Sequence, residues 1–140
     1  MQQKAPDYEQ QLAWIIARVN RRLEEELAEH LRPTGLPIEQ LRVLEAIGQR
    51  GPMTMGELAA AALVERPTLT KIVDRMVSAG LVFREPDERD RRRVNIVLAP
   101  EGAAMRRRLE GVSLRIERRL SALLEGPGER SLPEMLRALS

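Results

Sequence analysis

The sequence predicts a mainly α-helical chain with one small β-hairpin wing, in which a winged helix-turn-helix is flanked by long N- and C-terminal helices. Three observations carry that expectation. Apolar residues recur at three- and four-residue steps along two long stretches, one on each side of the centre. Two short helical patterns meet at a tight break between them. A pair of β-rich runs, separated by a charged segment, follows the second short helix.

Asp7, preceded by Pro6 and followed by Gln10, reads as an N-cap with its partner three residues on. Tyr8, Leu12, Ile15, Ile16, Val19, Leu23, Leu27 and Leu31 then mark one amphipathic helix. From Tyr8 to Leu31 it would run about 36 Å at 1.5 Å per residue, more than a small domain needs for its own core, so the surplus stripe asks for a partner. Gly35 and Pro37 punctuate the chain. Ile38, Leu41, Leu44 and Ile47 mark a second helix, expected to stop at Gly48 and the turn Gly51-Pro52. Thr54-Met55-Gly56-Glu57 is a capping box, with Met53 and Leu58 at the staple positions. The helix it starts carries Leu58, Ala59 and Ala62 and breaks near Leu63-Val64-Glu65. Pro67 suits the first turn of the next helix, whose buried face is Leu69, Ile72, Val73 and Met76 and whose end is Gly80. Leu81-Val82-Phe83-Arg84 reads as a strand and Val94-Asn95-Ile96-Val97-Leu98 as its antiparallel mate, with Glu85 to Arg93 as a charged tip. Pro100 and Gly102 lead into a second long helix bearing Met105, Leu109, Val112, Ile116, Leu120 and Leu123, ended by Gly126-Pro127-Gly128. Leu132, Met135, Leu136 and Leu139 form a short last helix.

At 140 residues, 43% hydrophobic and 31% charged, the chain has the size and composition of one globular domain. The 23 basic residues outnumber the 21 acidic ones by only two. All but Lys4 and Lys71 are arginines, whose planar fork suits phosphates and guanine edges. With no cysteine, thiolate metal sites, cysteine nucleophiles and thiol redox switches are excluded, and the single histidine, His30, makes no metal set or proton relay. No catalytic residue, metal or cofactor is expected. The first residues lack an apolar signal core and no apolar run approaches about 18 residues, which predicts a cytoplasmic protein without a membrane partner.

The run Pro67-Thr68-Leu69-Thr70-Lys71-Ile72-Val73-Asp74-Arg75-Met76, then Ala79-Gly80-Leu81-Val82, Asp87-Glu88-Arg89-Asp90-Arg91-Arg92 and Leu98-Ala99-Pro100-Glu101-Gly102, resembles the MarR family of bacterial winged-helix regulators. The wing pattern Asp-x-x-Asp-Arg-Arg before a Val-rich strand and a Pro-Glu-Gly helix start is its most specific element. The resemblance implies one domain over residues 1–140, with 1–35 and 100–140 as dimerisation helices and 36–99 as the DNA-binding lobe. It implies a homodimer that places two recognition helices in successive major grooves and two wings in flanking minor grooves. A small-molecule cleft between the dimer helices and the lobe is implied as well. Two residues depart from the family pattern. Ala99 stands where a capping Thr is usual, forfeiting a cap of about 1 kcal/mol. Glu65 stands at the start of the recognition helix where a small hydroxyl residue is common; its carboxylate suits the helix dipole but would repel phosphate.

The recognition helix turns Arg66, Pro67, Thr68, Thr70, Lys71, Asp74 and Arg75 away from its apolar face. Arg66 and Lys71 can donate to guanine O6 and N7, Thr68 can meet a base edge or a thymine methyl, and Thr70 and Arg75 can hold phosphates. In the wing, the resemblance makes Arg92 the minor-groove residue and Asp90 its orienting partner, with Arg89 and Arg91 adding phosphate contacts. Elsewhere the same run would be a solvated charged turn. Thr54 is a helix cap whose helix end could also receive a phosphate. Trp14 is chiefly a packing residue, with a ligand platform as its second reading. His30 partners a helix dipole, and the arginines of the second long helix form an exposed face. The function expected is a DNA-binding transcriptional repressor that binds a pseudo-palindromic operator as a homodimer and is released by a small organic effector. The alternatives are a winged-helix protein–protein interaction module and a non-specific DNA-binding protein without effector.

Overall fold

The computed structural model describes residues 4, 5, 7–125, 128 and 130–139. In chain order the elements are α1 (Leu12–Leu31), α2 (Ile38–Arg50), β1 (Met53–Thr54), α3 (Met55–Ala62), α4 (Arg66–Ser78), β2 (Val82–Pro86), β3 (Val94–Leu98), α5 (Pro100–Leu124) and α6 (Leu132–Leu139). They divide into two compact units, one of Met1–Pro33 with Val112–Ser140, the other of Thr34–Gly111.

In the first unit, Ile15 and Val19 of α1 and Leu139 of α6 form a small buried cluster, against which Leu23, Leu120 and Leu136 pack. An ion pair between Glu26 and Arg119 links α1 to α5. The helix at Tyr8 starts later than its periodicity suggests. Tyr8–Gln10 is a single 3₁₀ turn, Gln11 is extended (ψ 134°), and α1 proper begins at Leu12. Asp7 makes no side-chain cap bond. The last helix carries a capping box of its own: Ser131 Oγ accepts from the Glu134 N–H at 3.5 Å and Glu134 Oε2 accepts from the Ser131 N–H at 3.2 Å. The expected stop at Gly126-Pro127-Gly128 lies outside the described residues at positions 126 and 127, as does Pro6.

The second unit is built around the buried side chains of Leu41, Val43, Leu44 and Ile47 from α2, Leu58 from α3, Leu69, Val73 and Met76 from α4 and Ile96 from β3. Each contributes about 1.5–3 kcal/mol of burial. Helix α2 does not stop at Gly48. It runs on to Arg50 and ends at Gly51, whose φ of 84° is left-handed. The Arg106 side chain crosses α2 at Gly48, 2.3 Å from where a Cβ would sit, with its Nε 3.7 Å from Glu45 Oε2. Arg106 is therefore half-buried, not part of the exposed arginine face.

The sheet has a strand that the sequence does not announce. Met53–Thr54 pairs antiparallel with β3 through Met53↔Ile96 and Thr54↔Asn95, giving the order β1-β3-β2. The hairpin itself pairs from Val82↔Leu98 to Pro86↔Val94, and Pro86, which has no N–H to donate, sits on the edge strand β2.

Helices α3 and α4 close with the same hydrogen-bond pattern. At the end of α4, the Gly80 N–H donates to the Val77 carbonyl at 3.0 Å and the Leu81 N–H to the Met76 carbonyl at 2.9 Å, the Schellman pattern with glycine in the left-handed position. At the end of α3 the same pattern recurs, Leu63 N–H to Ala60 and Val64 N–H to Ala59, but the left-handed residue is Leu63 (φ 58°). Its side chain is 83% exposed and so gains almost nothing by burial. A left-handed L-residue costs roughly 1–2 kcal/mol, while glycine loses about 0.5–1 kcal/mol more chain entropy on folding. Leu63→Gly is thus expected to raise stability by about 0.5–1 kcal/mol, read as a higher urea midpoint at unchanged slope.

Candidate nucleic-acid interface

Helix α4 buries Leu69, Ile72, Val73 and Met76 and leaves Arg66, Pro67, Thr68, Thr70, Lys71, Asp74 and Arg75 exposed, as the 3.6-residue period requires. The outward set is not chemically uniform. The Thr70 hydroxyl donates to the Arg66 carbonyl one turn back at 3.0 Å, so its proton is committed and it offers outward a methyl group and oxygen lone pairs. Holding a phosphate, the role expected of Thr70, would require breaking that bond. Asp74 accepts from Arg84 of β2 at 2.5 Å and so ties α4 to the wing.

The wing tip is ordered through its backbone. Asp87 Oδ1 accepts from the Arg89 N–H at 2.9 Å and Asp90 Oδ1 from the Arg92 N–H at 3.0 Å, while Asp87 and Arg93 close the hairpin by an N–H to carbonyl bond of 3.0 Å. Asp90 thus fixes the main chain at Arg92, not its guanidinium. The reason is geometric: an aspartate side chain is the right length to cap the N–H two residues on. The guanidinium groups of Arg89, Arg91 and Arg92 have no ion-pair partner among the described residues, and all three are exposed.

Thr54 does cap α3, its Oγ1 accepting from the Glu57 N–H at 3.3 Å while Glu57 Oε2 accepts from the Thr54 N–H at 3.4 Å. The other carboxylate oxygen of Glu57 binds Arg93 at 3.2 Å. Sequence spacing gives no hint of that pair or of Asp74–Arg84, since the partners lie on different elements. A concavity of about 430 Å³ is lined by Thr54, Met55, Gly56, Arg66, Arg92, Arg93 and Val94. It joins the start of α3, the start of α4 and the root of the wing. Space is open at Gly56, where an added Cβ would meet nothing within 4 Å. Arg66 and Arg92, which carry no ion pair among the described residues, line this concavity at the N-terminal end of α3, where Thr54 takes the Glu57 N–H and the earlier N–H groups of the first turn have no helical acceptor. Electrostatically this is a seat for an anion.

Trp14 stands apart from that surface. It is 38% exposed on α1 and packs edge-on against Tyr8 with centroids 6.0 Å apart; Leu12 and Ile16 of the same helix are 42% and 50% exposed. The Tyr8 hydroxyl donates to Glu9 at 3.0 Å, and that hydrogen bond, with the glutamate charge, raises its pKa. His30 places Nδ1 2.8 Å from the Glu26 carbonyl, so in the Nδ1–H tautomer it donates to that carbonyl in the last turn of α1. Among the described residues no helix is long and apolar enough to cross a membrane, and no group of three or more His, Cys, Asp or Glu is placed to hold a metal.

The sequence profile of the MarR family matches residues 34–93. The multiple antibiotic resistance protein MarR of Salmonella typhimurium is 33% identical over 94 residues, 67% of this chain; the chain spans 65% of that relative. An HTH-type transcriptional repressor of Mycobacterium tuberculosis is 27% identical over 128 residues, 91% of this chain and 92% of its own length. Among solved structures, AbsC, a MarR family transcriptional regulator from Streptomyces coelicolor, superposes with a TM-score of 0.76 at 30% identity, covering 89% of this chain and 86% of that one.

Proposed function

The chain belongs to the MarR family of winged-helix transcriptional regulators, and on that premise we propose that it is a homodimeric repressor of a pseudo-palindromic operator. The observation that carries the reading is the concavity that gathers Thr54, Gly56, Arg66 and Arg92. A DNA backbone phosphate is the anion it suits: the start of α3 offers N–H donors, and the two unpaired guanidinium groups reach it from the recognition helix and from the wing. With the phosphate seated there, the exposed Thr68 and Lys71 of α4 meet base edges in the major groove and Arg92 leads the wing towards the minor groove. The relative named as a repressor supports that direction of control. A chromosomal regulator acts in the cytoplasm.

Dimerisation is supported by the first unit, where Leu12, Ile16, Leu114 and Leu123 remain 42%, 50%, 48% and 39% exposed around a small cluster. A second copy is the partner that a two-fold operator calls for. The effector is a small organic molecule, because a chain with no cysteine and one histidine has neither a thiol switch nor the ligands of a soft-metal sensor. To release DNA it must favour the non-binding state by about 5 kcal/mol.

Competition and sedimentation test this reading. A complex with a fluorescent fragment carrying the chain's own promoter region should survive a hundredfold mass excess of random duplex, and the free protein should sediment as a dimer at micromolar concentration. Loss of the complex to an equal mass of random duplex removes the operator, and a stable monomer removes the dimer. Release by hydroperoxide, zinc or copper at low micromolar levels, instead of by aromatic carboxylates or phenols, removes the organic effector.

A further inference from the structure

The segment from α3 through α4 carries three carboxylates, Glu57, Glu65 and Asp74. Two are neutralised by arginines of the wing and its strands, Glu57 by Arg93 at 3.2 Å and Asp74 by Arg84 at 2.5 Å. Each is thereby made harmless on a surface that must approach a polyanion. Glu65 is treated differently. It is the N-cap residue of α4, its backbone extended at ψ 149°, yet its side chain makes no cap bond and no ion pair among the described residues, and it is exposed. It precedes Arg66, whose guanidinium is also without an ion-pair partner among the described residues. An unpaired carboxylate would only weaken binding to phosphates. It gains where the nucleic acid offers a donor, and in the major groove the donors are the exocyclic amino groups of the bases.

We propose that Glu65 is a specificity-determining residue that accepts a hydrogen bond from the cytosine N4 amino group at one position of each half-site. The inference rests on the operator-binding reading above and deepens it. A carboxylate is an acceptor only, so it rejects the O4 of thymine and the O6 and N7 of guanine, and of the two amino groups it favours cytosine N4 because adenine N6 stands beside the N7 acceptor, which repels a second acceptor. It stands at the N-terminal end of the recognition helix, the end that reaches base edges in helix-turn-helix complexes. Glu65 therefore presents an acceptor at the base edges while Arg66 holds the backbone phosphate beside it.

The test compares wild type, Glu65→Gln and Glu65→Ser by sequencing the bound fraction of a randomised duplex pool at one fixed salt concentration, with circular dichroism to confirm that both variants fold. Wild type should prefer cytosine at one position per half-site by about tenfold or more. Glu65→Gln, which adds an amide donor, should move that preference towards adenine, and Glu65→Ser should relax it to a few-fold at most. All other positions should keep their preferences. Unchanged base preferences in both variants, with affinity raised equally for every sequence or not at all, overturn the proposal while leaving operator binding intact. If wild type enriches no sequence, the operator reading itself fails and the proposal falls with it.

Discussion

The double variant Arg66→Ala/Arg92→Ala is expected to bind DNA about a hundredfold more weakly than wild type, with the slope of log affinity against log salt flattened by about two units. The magnitude follows from what the two side chains lack. Neither has an ion-pair partner among the described residues, so each brings its full charge to the concavity they share with Thr54 and Gly56. A charge-assisted hydrogen bond contributes about 1.5–3 kcal/mol, and two of them correspond to a factor of a hundred or more. Each phosphate that is no longer neutralised takes about 0.9 from the salt slope. Both residues are exposed, so thermal stability should stay within about 0.5 kcal/mol of wild type. Fluorescence anisotropy at four salt concentrations measures both the affinity and the slope. An unchanged slope would mean that the concavity is not where the backbone lies.

Gly102→Ala is expected to destabilise the second unit by about 3 kcal/mol, whereas Gly111→Ala on the same helix should stabilise by about 0.5–1 kcal/mol. Helix propensity alone predicts a gain for both. Geometry separates them. A Cβ at Gly102 would sit 2.0 Å from the Leu81 carbonyl oxygen and 3.0 Å from its carbon, backbone atoms that cannot swing aside, and 3.4 Å from Leu44 Cδ2. At Gly111 it would meet nothing within 4 Å. The Leu81 carbonyl also accepts the Ala99 N–H at 3.0 Å, the bond that seats the start of α5 beside the turn after α4. Relieving the clash therefore costs that hydrogen bond, about 1 kcal/mol, on top of about 1–3 kcal/mol of overpacking. Equilibrium urea unfolding reads both changes. Equal stabilisation by the two alanines would show that α5 does not approach Leu81 so closely.

What the sequence made legible was local. The Thr54–Glu57 box, the Pro67 start of α4 and the left-handed Gly80 each act within four residues, so their signals survive in one chain segment. The outward face of α4 followed from a single helical period. What stayed hidden needed a distant partner. Strand β1 is two residues long and exists because Ile96 and Asn95 lie opposite it. Gly48 looked like a helix stop because nothing near it in sequence announces that Arg106 crosses there. Leu63 occupies a glycine position because the carbonyls of Ala59 and Ala60 need donors at that turn whatever the side chain. In the site, the residue types were readable and their mutual bonds were not. Asp90 bonds to the main chain instead of a guanidinium, the Thr70 proton is already spent on the Arg66 carbonyl, and the pairs Asp74–Arg84 and Glu57–Arg93 join the wing to the helices.

The central claim is that one surface, the outward face of α4 with the wing beside it, reads a specific DNA sequence as a two-fold pair. Sequencing of genomic fragments retained by the purified protein at moderate salt tests it most directly. A few sites should be enriched, each a pseudo-palindrome whose half-sites lie about 10 base pairs apart, with enrichment abolished in Arg66→Ala/Arg92→Ala. Retention of all fragments in proportion to their length, or enrichment that the double variant reproduces, would contradict it.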